Sequence, residues 1–164
     1  MTLHELLATE PDGTLEDIAG RYDTSLLEVV KALPAAQRTL VDGERFDRIW
    51  EAITGWGEVT LISHTADAIL EFKSELPSGA HRHGYFNLRG KNGLSGHIRA
   101  ANCRHIAFIE RKFMGVDTAS VVFFNAGGEA MFKIFLGRDS HRQLLTAQVD
   151  AFHRLADGLQ REPV

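Results

Sequence analysis

The sequence predicts an α+β single domain spanning residues 1–164: N-terminal helices over 1–55, a large antiparallel β-sheet meander over 58–136 and a C-terminal helix over 139–159. Three observations carry this. Apolar residues recur at spacings of three and four through the first third of the chain. The period changes to two from Glu58 to Leu136, and the last stretch again carries one amphipathic stripe.

Leu3, Leu6 and Leu7 make one short helical stripe, and Leu15, Ile18 and Ala19 make the next after a turn at Pro11-Asp12-Gly13. Leu26, Val29, Val30 and Leu33 repeat the spacing, with an N-cap at Thr24-Ser25 and a stop at Pro34. Phe46, Ile49, Trp50 and Ile53 mark a further helix, ended at Gly55-Trp56-Gly57. Beyond it, β-branched and aromatic residues crowd Val59–Ile62, Ile106–Ile109 and Val121–Phe124. Gly127-Gly128 and Asn92-Gly93 supply close turns. Leu144, Leu145, Val149, Phe152 and Leu155 form the stripe of the final helix.

Hairpin register decides which side chains share a sheet face. A two-residue Asn92-Gly93 loop would set Leu88 opposite His97 and mix apolar and polar residues on both faces. A three-residue loop of Lys91, Asn92 and Gly93, with Gly93 left-handed, sets Asn87 opposite His97 and Tyr85 opposite Arg99. The second register is preferred because it sorts the faces. Phe86, Leu88, Leu94 and Ile98 fall on one side, and Tyr85, Asn87, Arg89, Ser95, His97 and Arg99 on the other.

Composition narrows the function classes. A hydrophobic content of 44% is enough for a core, and a net charge of −4 argues against a phosphate backbone as the main partner. The single cysteine, Cys103, allows no intrachain disulfide and no cysteine-built metal centre. No secretory leader and no apolar run of membrane-spanning length is present, so a cytoplasmic protein without membrane insertion is expected.

Several constellations invite chemistry. His97 and Tyr85 each offer an iron ligand, and Arg89 and Arg99 can meet carboxylates such as the propionates of haem. On spacing alone a plain solvated sheet face is the commoner explanation. His64 ends an apolar strand at a sheet rim, where, taken alone, a hydrogen-bonded turn histidine is commoner than a ligand. His81-Arg82-His83 places two imidazoles on one side of a strand, as in metal-dependent cupins, but lacks the following Glu. Residues 14–33 resemble a helix-turn-helix, yet Glu16, Asp17, Asp23 and Glu28 outweigh Arg21 and Lys31, so a packing role is expected there. No catalytic triad or phosphate loop occurs.

Longer strings are more specific: His64-Thr-Ala-Asp67, Leu76-Pro-Ser-Gly-Ala-His-Arg-His-Gly-Tyr-Phe-Asn-Leu-Arg-Gly90, Gly93-Leu-Ser-Gly-His-Ile98, His105-Ile-Ala-Phe-Ile-Glu-Arg-Lys-Phe-Met114 and Met131-Phe-Lys-Ile-Phe-Leu-Gly-Arg-Asp139. Through these the chain resembles, over essentially its whole length, the HutX/ChuX family of intracellular haem-utilisation carriers. The resemblance implies a half-sized relative of the HemS/ChuS haem proteins that forms a homodimer. It also implies haem bound as cargo and delivered to a haem-processing recipient, with no catalytic residues. The haem-associated histidines of the family fall on His64 and His97, and a haem-ligating tyrosine on Tyr85. The resemblance thus implies haem-iron ligands among His97, Tyr85 and His64, with Arg89 or Arg99 on the propionates. The alternatives are a haem-degrading or haem-processing enzyme and, further off, a helix-turn-helix DNA-binding regulator. A domain with one open sheet face would also favour association.

Overall fold

The structure, a computed structural model, describes residues 1–91 and 93–162. Three short helices open the chain: α1 (Leu3–Ala8), α2 (Leu15–Arg21) and α3 (Leu26–Ala32). Each is started by a hydroxyl. Thr2 forms a capping box with Glu5, Thr14 accepts from the Asp17 N–H, and Ser25 accepts from the Glu28 N–H. Leu33 turns extended ahead of Pro34, whose ring disfavours a helical predecessor, and α3 stops there.

The expected helical region 1–55 contains a strand, β1 (Arg38–Asp42), before α4 (Phe46–Thr54). β1 is half-buried along most of its length, without the alternation that betrays a strand, and its pairing with β7 (His105–Phe113) creates it. The strands that follow are β2 (Glu58–His64), β3 (Ile69–Glu75), β4 (Gly79–Arg82), β5 (Tyr85–Arg89) and β6 (Ser95–Ile98). After β7 come β8 (Val116–Phe124) and β9 (Ala130–Phe135). All pairings are antiparallel, but they make two sheets. The larger has the order β1-β7-β8-β9-β2-β3, and the smaller is β4-β5-β6. The meander breaks at Leu76-Pro77-Ser78, where the chain leaves the first sheet for the second.

Both faces of the six-stranded sheet are covered along its centre, which corrects the expectation of one open face. On one side Ala107, Ile109, Val122 and Phe124 pack with Ile18, Leu26, Val29 and Val30 of the N-terminal helices. On the other side Ile106, Phe108, Val121, Phe123 and Ile134 meet α4, the apolar face of the small sheet and α5 (Thr146–Arg161). The aromatic residues of α4 join the two sheets. Phe46 meets Phe86 of β5 edge-on at 5.2 Å and Phe123 of β8 at 5.4 Å, and Trp50 meets Phe86 and Phe132 at 5.6 and 5.9 Å. Gly79 is required here, because a Cβ on it would lie 2.2 Å from the Phe86 ring.

The C-terminal helix begins at Thr146, not at 139. Asp139 Oδ1 accepts from the backbone N–H groups of His141 and Gln143, and this local loop competes with helix over 139–145. Buried Gln148 then locks α5 to the sheet: its Nε2 donates to the carbonyls of Trp56 and Glu58, and its Oε1 accepts from the Gly137 N–H.

Candidate functional site

The small sheet builds the site. Its register pairs Phe86 with Ile98, Asn87 with His97 and Arg89 with Ser95, the register of the three-residue loop. Gly93 adopts φ 91°, as that loop demands, while Asn92 lies outside the described residues. Phe86 and Leu88 are buried, whereas Tyr85 and Asn87 are partly exposed and Arg89, His97 and Arg99 are exposed.

The β4–β5 connection alters one expectation. His83 and Gly84 form a two-residue turn with φ 55° and 81°, the left-handed pair of a type I′ hairpin. His83 therefore leaves the strand, and His81 is bonded to Asp47 of α4 at 2.8 Å. The two imidazoles do not share one side of a strand. Among the described residues no cluster of three or more His, Cys, Asp or Glu could hold a metal ion, and the cupin-like motif has no structural support.

On the polar face Tyr85 and His97 lie with ring centroids 5.6 Å apart. Arg99 donates from Nη2 to Tyr85 Oη at 2.6 Å, and its guanidinium carbon sits 4.5 Å from the Tyr85 ring centroid. That double contact fixes the phenol oxygen beside a fixed positive charge. His97 Nδ1 is bonded to Asn87 Oδ1. Arg89 is exposed on the same face, its backbone paired with Ser95 of β6. Two potential iron ligands and two guanidiniums thus share one solvent-facing surface.

His64 is placed elsewhere. It follows Ile62 by two residues on β2, and Ile62 pairs with Lys133 of β9, itself opposite Val122. Alternation puts His64 and Lys133 on the face toward α1–α3, while β4–β6 pack against the opposite face. His64 Nδ1 lies 3.0 Å from Glu16 Oε2 and 3.4 Å from Lys133 Nζ, and Lys133 also pairs with Glu16. A histidine held by a carboxylate is oriented for ligation through its other nitrogen. Within one chain, however, it does not join Tyr85 and His97. Sequence reasoning missed Glu16 and Lys133, because nothing local ties α2 or β9 to the end of β2.

Cys103 is not a ligand candidate. It is buried, its Sγ is turned toward the His105 carbonyl, and burial pushes its thiol up to about 12 from an ordinary 9.0. Iron takes the thiolate, not the thiol. The native protein at pH ~8 is expected to resist disulfide-exchange reagents and to react fully once denatured. Rapid labelling of the folded chain would contradict this placement. Because the thiol ionises more readily unfolded, its stabilising contribution is present below about pH 9 and is lost as pH rises toward about 12.

Residues 39–155 match the haem-utilisation ChuX/HutX family. The chain belongs to that family. It is 38% identical over 149 residues to the intracellular heme transport protein HutX of Vibrio cholerae, covering 90% of this chain and 77% of HutX. Crystal structures tell the same story. A protein from Erwinia carotovora is 81% identical with a TM-score of 0.96, covering 98% of this chain and 99% of its own. ChuX, described as a heme-binding protein, is 63% identical with a TM-score of 0.92, covering 98% and 100% of the two chains. The heme-binding protein PhuS of Pseudomonas aeruginosa and the E. coli heme oxygenase ChuS share the fold at 13% and 10% identity. This chain covers 45% and 49% of their lengths, with TM-scores of 0.76 and 0.79, so the fold is a half-repeat of theirs.

In this ChuX/HutX family member the matched span contains the whole Tyr85–Arg99 surface, His64 and Lys133. Glu16, the carboxylate that holds His64, lies outside it on α2. The likeness to ChuS extends to the fold alone and carries no enzymatic chemistry with it.

Proposed function

We propose that this chain binds haem reversibly on the outer face of its small sheet and carries it within the cytoplasm to a haem-processing protein. The observation that carries the proposal is the grouping of His97 and Tyr85 beside Arg99 and Arg89 on one exposed surface, in a chain whose relatives are a heme transport protein and a heme-binding protein. Iron is held by His97, by Tyr85 or by both, and Arg89 or Arg99 meets the propionates. His64, on the other face, serves a second contact from a different direction. An open surface suits a carrier, since cargo must leave at a useful rate.

Transfer tests this directly. Protein loaded with hemin and mixed with apomyoglobin should yield holomyoglobin with total haem conserved, and with a reductant under air its Soret band should persist. Loss of haem to products absorbing elsewhere would replace the carrier by a haem-degrading enzyme.

We further propose that the chain works as a homodimer. Support comes from β3, an edge strand that exposes Ile69, Leu70 and Phe72 with 56%, 66% and 37% of their surface accessible. Such an edge is ordinarily covered or paired. Sedimentation equilibrium should return twice the mass of one chain, and a monomer at micromolar concentration would overturn this part.

A further inference from the structure

We infer that Asn87 is the positioning residue that fixes the His97 tautomer, so that His97 presents Nε2, and only Nε2, to iron. The inference rests on the reading of His97 as a haem ligand and adds to it which nitrogen binds and what selects it.

The Asn87 amide is held in one orientation. Its Nδ2 faces the carbonyl oxygens of Ala80, Arg82 and Tyr85 at 3.3, 3.0 and 3.2 Å. Carbonyls only accept, so the NH₂ end must lie there; a flipped amide would set its own oxygen against three others. Oδ1 is therefore the atom directed across the strand pair at His97 Nδ1. An amide oxygen also only accepts, so Nδ1 must carry the proton. In the neutral ring the lone pair then resides on Nε2, the form a metal ligand needs. The three carbonyls belong to β4, its end and the first residue of β5, so the tight His83-Gly84 hairpin supplies the acceptors that set Asn87. A chain of hydrogen bonds runs from the turn backbone through Asn87 to the imidazole. Partners of this kind orient a ligating histidine, and their loss costs about 10- to 100-fold in metal affinity.

The test uses the full chain in four forms: wild type, Asn87→Leu, His97→Ala and the double variant. Nitrogen NMR of haem-free, histidine-labelled protein at pH ~8.5, above the ordinary imidazole range, reads the tautomer. Wild-type His97 should show a protonated Nδ1, and Asn87→Leu should shift it toward the Nε2–H form that free imidazole side chains favour. In hemin titrations Asn87→Leu should weaken binding about 10- to 100-fold, yet add nothing in the His97→Ala background, because it acts through that ring. An unchanged tautomer in Asn87→Leu, or an equal loss in the His97→Ala background, would overturn the inference; the second result would mark Asn87 as structural only. The haem reading fails separately: wild type then shows no saturable hemin binding while the tautomer shift still appears.

Discussion

Trp50→Ala is expected to lower the unfolding free energy by about 3–5 kcal/mol, a large fraction of the roughly 5–15 kcal/mol that holds a domain of this kind together. Trp50 is fully buried, lies stacked near Phe46 at 5.9 Å, and meets Phe86 and Phe132 edge-on. Its indole N–H donates to the Pro77 carbonyl at 2.8 Å, in the segment where the chain passes from the large sheet to the small one. Truncation removes the bulk that joins the two sheets and leaves that carbonyl without its partner. Urea denaturation followed by circular dichroism should show a midpoint shifted far down with an unchanged slope. A shift smaller than about 1 kcal/mol would mean that the two sheets are held together elsewhere.

His97→Ala is expected to weaken hemin binding by more than the roughly 10- to 100-fold typical of losing an outer-shell partner, and to change the shape of the Soret band. His97 is exposed and, among the described residues, its side-chain hydrogen bond is to Asn87, so removing it should leave the fold's stability nearly untouched. Binding loss would then report on ligation and not on unfolding. Tyr85→Phe removes only the oxygen that Arg99 contacts, and its spectrum separates a tyrosine ligand from a tyrosine that merely positions the guanidinium. His64→Ala acts at a separate place and is expected to leave the Tyr85–His97 surface intact.

Much of the site's face was legible in the sequence because it depends on local rules. Gly93 in a left-handed conformation and the alternation of Phe86, Leu88, Leu94 and Ile98 suffice to set the β5–β6 register, which brings Asn87, Tyr85 and their partners to one side. The hydroxyl caps of α2 and α3 are equally local. What escaped depends on contacts between distant segments. β1 exists because β7 pairs with it, and the division into two sheets follows from packing around Phe46 and Trp50. His64 meets Glu16 and Lys133, residues on a helix and a strand far away in sequence. His83 was misplaced for a different reason: in His83-Gly84 a histidine occupies a left-handed position more often given to Asn or Gly, so the turn hid inside a strand-like run.

The most direct test of the central claim is an absorbance titration of the purified protein with hemin. The account predicts a saturable Soret shift that His97→Ala weakens and Tyr85→Phe alters. A wild-type protein with no saturable shift, or one whose titration is unchanged by every substitution at His97, Tyr85 and His64, would contradict it.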